Sequence, residues 1–343
     1  MTKFGIFLAE IGVMPDWVIR VAARFLTRQR LGQAQNAAEK LELIEQLSKG
    51  GIAEKTVDAN EQHYEVPTEF FQLVLGKYLK YSCNLFEEVD SQDDAEQAML
   101  DLYIERAGIA NSQQVLDLGC GWGSFSLYAA KQFPSSRFTC VSNSQTQIDY
   151  IKSRVEEEGI TNLTPIRSDV NELSLEDRFD RIISIEMFEH LRNYQSILST
   201  LNLLLNDTGK LFIHIFCHKS LLYLYEIQSD SDWMTKYFFQ GGIMPSLDIF
   251  DHFDESFRLA DRWSVNGTNY SKTSKLWLTK MYQNRAQIMR VLSQHYHDPR
   301  RWFNRWRIFF LTCEAFFELN DGDEYFVSHH LLEKSPTLKK LES

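Results

Sequence analysis

Apolar and polar positions take up helical spacing between residues 94 and 107, where Ala95, Ala98, Met99, Leu102, Tyr103 and Ala107 recur at three- and four-residue intervals. Ser91, three residues ahead of Asp94, supplies a plausible N-cap. Beyond this helix the period switches repeatedly. Gln114–Leu118, Arg137–Val141, Leu163–Arg167, Asp180–Ile185 and Lys210–Phe216 read as short strands, with helices at Ser124–Lys131, Gln145–Glu158 and Tyr194–Leu205 between them. That alternation predicts βαβ units and a mostly parallel sheet, with ligands expected beyond the carboxyl ends of the strands. Trp277–Phe317 reads as mostly helical and Tyr325–Leu332 as a closing strand. Upstream, the polar stretch Gln33–Glu61, with Gly50-Gly51, reads as helix plus linker, so a helical appendage over 1–60 precedes a main body over 61–343. Residues 217–260 are rich in aromatics, lack simple alternation over most of their length, and read as an insertion that lids the site.

Composition narrows the class. Hydrophobic residues at 44% and charged residues at 24% are those of an ordinary globular protein and exclude a disordered or coiled-coil chain. Lysine and arginine number 36 against 47 acids, for a formal charge of −11, which argues against a nucleic-acid partner. The five cysteines are odd in number and form no CxxC pair, so neither a disulfide framework nor a thiolate metal site is expected. His329-His330 has no carboxylate at metal-ligand spacing and reads as a surface or interface pair. No apolar run approaches the ~18 residues of a membrane span. Lys3, Glu10 and Pro15 make a poor secretory leader, so the expectation is a cytoplasmic protein, monomeric or a homodimer.

The most informative stretch is Val115-Leu116-Asp117-Leu118-Gly119-Cys120-Gly121-Trp122-Gly123. A strand runs into three alternate glycines and then a helix, where a backbone must turn sharply and a ligand must approach it. The GxGxG spacing differs from the GxGxxG of dinucleotide sites. It resembles the nucleotide-binding turn of class I S-adenosylmethionine-dependent methyltransferases. The second strand ends Val141-Ser142-Asn143-Ser144-Gln145-Thr146-Gln147, without the acid that usually grips the ribose, although an amide and a hydroxyl can still bond a diol. That departure, with His63-Tyr64-Glu65-Val66-Pro67, Tyr81-Ser82-Cys83 and Ser168-Asp169-Val170, resembles the cyclopropane-fatty-acid synthases and their relatives, the coclaurine-type N-methyltransferases.

Within that group, Ser184 through His190, Phe216-Cys217-His218-Lys219 and the stretch from Trp233 to Ser246 bring the chain nearest to the coclaurine-type enzymes, which methylate a benzylisoquinoline amine. The resemblance spans roughly residues 15–335. It implies a doubly wound, Rossmann-like α/β fold with a mostly parallel seven-stranded sheet, an N-terminal helical lid and the aromatic-rich insertion. It implies S-adenosyl-L-methionine as cofactor, received by Tyr81, Ser82, Asp117, Gly119, Gly121, Gly123, Asn143, Gln147, Asp169, Val170 and Ile185. The implied acceptor is a small aromatic or isoquinoline-like amine, in a pocket that includes His214, Tyr237, Phe238, Trp263 and Tyr270.

Glu186, Glu189 and His190 follow the fourth strand. If they enter a helix, Glu186 shares a face with both of the others. An amine attacks only when neutral, and most alkylamines are charged at pH 7, so a base beside the nitrogen has a clear use. The plainer reading is that Glu189 caps backbone groups and His190 is a satisfied core histidine. The place of the motif at the strand rim instead favours Glu186, Glu189 and His190 as a catalytic cluster that assists in-line methyl transfer, with Glu189 beside the acceptor nitrogen. Lipid enzymes of the group typically carry glycine where this chain has Glu186. They hold a bicarbonate ion at positions matching Cys83, Glu189, His214 and Tyr270, which keeps open an alternative acceptor, an unsaturated fatty-acyl phospholipid reached by peripheral membrane contact. A cofactor-binding protein without chemistry is a third reading, opposed by the intact turn and by the three polar residues after the fourth strand. Arginines and aromatics alternate from Pro299 to Phe310, as on a membrane-surface helix, but apolar residues keep helical spacing through Phe317, which favours a core helix. Tyr223, Trp233, Tyr237, Phe238, Phe239 and Trp263 form either a box for a flat amine or the core of the insertion.

Overall fold

The computed structural model describes residues 3–32, 35–53, 66–227, 232–253 and 255–335. Strands β1 (Gln114–Leu118), β2 (Arg137–Ser142), β3 (Leu163–Arg167), β4 (Phe179–Ile185) and β5 (Leu205–His218) are followed by two short strands, β6 (Tyr223–Leu224) and β7 (Ile243–Met244). The set ends with β8 (Phe257–Val265) and β9 (Tyr325–Lys334). Seven of them form one sheet in the order β3-β2-β1-β4-β5-β9-β8, while β6 and β7 pair with each other. β1 to β5 pair in parallel, and β9 inserts antiparallel between β5 and β8. The chain order reverses between β1 and β4, which puts the ligand crevice beyond Leu118 and Ile185.

Parallel strands are covered on both faces, which is why four consecutive residues of β1 and the Ile182–Ser184 stretch of β4 are buried. Helices Ser124–Gln132, Gln145–Glu157 and Tyr194–Leu204 connect them, and Ser91 caps Gln92–Ala107 by accepting the Asp94 N–H at 3.1 Å. β8 is absent from the hydrophobic pattern because it is an edge strand whose two ends are its only buried residues. The mostly helical stretch expected over Trp277–Phe317 consists of three helices, Thr268–Gln283, Arg285–His295 and Pro299–Phe317, the first of which begins nine residues earlier. His63-Tyr64-Glu65 and the boundary at residue 60 lie outside the described residues.

Helices α1 (Lys3–Glu10) and α2 (Asp16–Leu31) pack on Pro299–Phe317. The arginines of that long helix engage acids of the N-terminal segment: Arg305 Nε donates to Glu10 at 3.0 Å, Arg301 Nε to the other Glu10 oxygen at 2.6 Å, and Arg307 Nε to Asp16 at 2.8 Å. Phe303, Trp306 and Phe310 are fully buried. The helix is therefore interior and does not lie on a membrane surface. No helix among the described residues is long and apolar enough to cross a membrane.

Candidate active site

The turn after β1 runs through three left-handed glycines, Gly119 (φ +78), Gly121 (φ +54) and Gly123 (φ +75). A Cβ on Gly119 would meet the Met187 side chain at 2.7 Å, and one on Gly123 would meet Ile151 at 2.8 Å. At Gly121 a Cβ would meet nothing within 4 Å, because that residue fronts open space. The space consists of two cavities of about 60 and 90 Å³ that share Gly119, Gly121, Gln147 and Glu186 on their walls. Tyr81, Ser82, Asp117 and Ile185 line the first, beside Lys80, Trp122 and Ser124, for which the sequence carried no signal. Asn143 and Val170 line the second, with Ser168, Met187 and His190.

Two expected cofactor residues stand off these walls. Gly123 opens the Ser124–Gln132 helix, and the Asp169 Oδ1 caps the following turn by accepting from the Asn171 N–H at 2.8 Å. Three buried polar atoms on the walls, Trp122 Nε1, Ser124 Oγ and Gln147 Nε2, have no partner among the described residues. A polar ligand with hydroxyl, amino and carboxylate groups fits that wall, since a buried polar group without a partner is costly. Burial pushes the Asp117 carboxyl up to about 7 even though Ser126 Oγ donates to it at 2.6 Å.

The residues after β4 do not form the expected helical face. Glu186 is itself left-handed (φ +49), and the turn over Phe188–His190 is a 3₁₀ helix. The two carboxylates consequently diverge. Glu189 has no exposed surface and lines neither cavity. One of its oxygens accepts the Phe216 N–H at 2.7 Å and the other has no partner among the described residues. Burial, reinforced by the charge of Glu186, pushes its carboxyl well above the usual range. Glu186 is the carboxylate that reaches the cavities. Its Oε1 accepts the Cys83 N–H at 2.9 Å and lies 3.0 Å from His214 Nε2, and its Oε2 accepts the Tyr270 hydroxyl at 2.6 Å. The residues matched to a bicarbonate pocket thus surround a carboxylate belonging to the chain, with Glu189 outside the ring. Burial raises the Glu186 carboxyl, while Tyr270, the Cys83 N–H and nearby Lys80 oppose the rise. His190 lines the second cofactor cavity and stacks on Phe239, with centroids 6.2 Å apart and planes 10° from parallel.

Phe239 belongs to the next chamber, a cavity of about 220 Å³. Its wall carries Phe216, Tyr223, Tyr225, Trp233, Tyr270, Phe309, Phe316 and Phe317. Its roof is the N-terminal helix pair, through Ile6, Ile19, Ala23, Leu26, Thr27 and Arg30. The ring of Tyr270 lies on this wall and its hydroxyl on Glu186, so one side chain joins the two chambers. The other expected pocket residues are elsewhere. Phe238 is fully buried and stacked on Phe309 at 4.3 Å. Tyr237 lies under the Arg305 guanidinium at 4.0 Å, and Trp263 lies on β8 under Arg106 at 5.1 Å. His214 stands behind Glu186 and lines none of the three cavities.

His329 and His330 are not a surface pair. β9 is internal to the sheet, so both faces are covered, and neither histidine is exposed. Among the described residues no group of His, Cys, Asp or Glu is arranged to hold a metal ion.

A doubly wound sheet, a glycine turn at its switch point and a divided groove beyond it define a class I S-adenosylmethionine-dependent methyltransferase. The mycolic acid cyclopropane synthetase family model matches residues 53–325. The (S)-coclaurine N-methyltransferase of Papaver somniferum is 34% identical over 337 residues, covering 95% of this chain and 96% of that protein. The crystal structure of a coclaurine N-methyltransferase bound to N-methylheliamine and S-adenosylhomocysteine superposes with a TM-score of 0.92 at 32% identity, covering 96% of this chain and 98% of that one. A cyclopropane synthase from Mycobacterium tuberculosis shares the fold, with a TM-score of 0.71 at 20% identity, covering 82% of this chain and 99% of that one. The chain belongs to the mycolic acid cyclopropane synthetase family, and S-adenosylmethionine is its cofactor.

Proposed function

We propose that the protein methylates the nitrogen of a small aromatic amine of the isoquinoline kind, with Glu186 as the base at the acceptor. The observation that carries this reading is the Glu186 carboxylate, which lines the cofactor cavities and is joined through Tyr270 to an aromatic chamber. Aromatic faces and a carboxylate both favour an ammonium ion. The names of the relatives at 34% and 32% identity support the same acceptor class. Tyr81, Ser82, Asp117, Gly119, Gly121, Asn143, Gln147, Val170 and Ile185 would hold the cofactor, which supplies an electrophilic methyl sulfonium.

Glu186 accepts the proton of the entering ammonium, and the freed nitrogen lone pair forms the new N–C bond as the S–C bond breaks with its electrons left on sulfur. Positioning dominates such an in-line transfer, and the stacked His190–Phe239 pair fixes the wall between the chambers. Glu189 supports the Phe216 backbone beneath that wall. The five cysteines are free and buried, which suits the reducing cytoplasm.

Incubation with methyl-labelled S-adenosylmethionine, a panel of secondary and tertiary amines and an unsaturated phospholipid tests the acceptor. Label on an amine is expected; label on phospholipid alone would replace this reading with the lipid one. Glu186→Gln should lower turnover on the amine by about 10² to 10⁴. Part of that loss should return at alkaline pH, where more amine is already neutral.

A further inference from the structure

A line of hydrogen bonds runs from Glu186 across the buried sheet to the edge of the protein. His214 Nε2 lies 3.0 Å from Glu186 Oε1, His214 Nδ1 lies 2.9 Å from His329 Nε2, and His329 Nδ1 lies 2.7 Å from an Arg106 Nη. The three partners come from β5, β9 and the Gln92–Ala107 helix. Both imidazoles are fully buried, and Arg106 is half-buried. The direction of the line follows from chemistry. A guanidinium has five donors and no acceptor, so His329 Nδ1 must accept. Burial keeps His329 neutral, which puts its one proton on Nε2, aimed at His214 Nδ1. His214 is held neutral by the same cause, so its proton is on Nε2, aimed at Glu186.

We infer that Arg106 and His329 are positioning residues: they lock His214 as a donor to Glu186 and thereby set the pH range in which that carboxylate is ionised. The inference rests on the reading of Glu186 as the base. The locked line excludes His214 as a proton acceptor at Nε2, since that atom already holds its proton. It also opposes the rise that burial imposes on the Glu186 carboxyl. Without Arg106 the histidine pair is free to reverse, and a lone pair on His214 Nε2 would then favour the protonated acid.

Other groups face Glu186 from every side. Lys80 and Cys83 come from the preceding loop, Glu189 and His190 from its own turn, Tyr103 from the Gln92–Ala107 helix, and Tyr270 and Cys313 from the C-terminal helices. The Tyr103 hydroxyl also lies 2.9 Å from His214 Nδ1; it shares that atom's one lone pair with His329 in the locked arrangement and can accept from Nδ1–H in the reversed one, so it fixes neither tautomer by itself. Glu87, Glu105 and Tyr103 surround Arg106.

The test compares kcat–pH profiles of the wild type, Arg106→Met, Arg106→Lys, His329→Leu and His329→Gln, together with ¹⁵N shifts of the two imidazoles in the cofactor-bound protein. Arg106→Met and His329→Leu should move the acid limb about one pH unit upward, a tenfold loss below it, with KM for the cofactor unchanged. Arg106→Lys and His329→Gln each keep a donor in place and should stay near the wild-type profile. The wild type should show both histidines as Nε2–H tautomers, and Arg106→Met should lose that pattern. An unmoved acid limb in folded Arg106→Met, or an Nδ1–H tautomer at His214 in the wild type, would overturn the inference. If no amine accepts a methyl group, the acceptor reading fails, while the ¹⁵N measurement still decides whether the lock exists.

Discussion

Gly121→Ala probes the cofactor turn at the one of its three glycines whose added methyl would meet no protein atom within 4 Å. Two costs separate cleanly. The first is backbone strain, because φ +54 is unfavourable for any residue with a Cβ by about 1–2 kcal/mol. That should lower the melting temperature by several degrees at most. The second falls on the ligand. Gly121 borders both cofactor cavities, so the methyl would enter the space the cofactor fills. Overpacking of one methyl group costs about 1–3 kcal/mol, which is roughly 5- to 150-fold in Kd.

Gly159 supplies the control. It is also left-handed (φ +63) with nothing within 4 Å of its Cβ, but it lies at the end of a helix and lines neither cofactor cavity. Gly159→Ala should therefore destabilise the protein to the same degree and leave binding unchanged. Calorimetric titration with S-adenosylhomocysteine, paired with thermal melts, reads both quantities. Equal affinity in Gly121→Ala and wild type would show that these cavities are not where the cofactor sits. A loss of binding matched by Gly159→Ala would assign the effect to the fold alone.

Other positions separate roles that the sequence runs together. Glu189→Gln keeps an acceptor for the Phe216 N–H and should retain turnover, whereas Glu189→Leu strands that donor and should cost about 1–3 kcal/mol in denaturant unfolding. Ala23→Phe fills the roof of the aromatic chamber, so KM for the amine should rise at least tenfold while cofactor affinity, measured by titration, stays constant. Asp117, raised to about 7 by burial, favours the folded state while protonated. Its contribution is fully present below its unfolded pKa of about 4 and is lost as pH rises through 7. Melts of the ligand-free protein from pH 4 to pH 8 should show a shallower decline for Asp117→Asn than for the wild type, and parallel curves would refute the assignment.

The parallel core was legible because short apolar runs alternate with helical spacing along the chain, and the glycine turn because its backbone requires glycine. β8 left no such trace, since an edge strand buries little. The roof of the aromatic chamber was hidden for a different reason. α2 turns Ile19 and Ala23 inward yet leaves Trp17 and Phe25 about two-thirds exposed, so its apolar residues form no single stripe. The shared face that Glu186, Glu189 and His190 would have on a helix does not form, because a left-handed Glu186 breaks the helical path that their spacing allowed. The histidine line was beyond reach, since His329 meets partners 223 and 115 residues away in the chain.

The left-handed backbone of Glu186 sets activity against durability at a single position. Strain of this kind amounts to about 1–3 kcal/mol and persists only where the surroundings enforce it. Here they do so through a backbone bond from the Glu186 N–H to the His214 carbonyl at 2.9 Å and through the three donors on the side chain. Glycine at 186 would relax the chain and leave those donors around a space the size of one carboxylate. A search for heat-resistant variants, screened by melting alone, would therefore select glycine at 186 only in a buffer whose small anions refill that space, since three stranded donors otherwise cost more than the strain relieved.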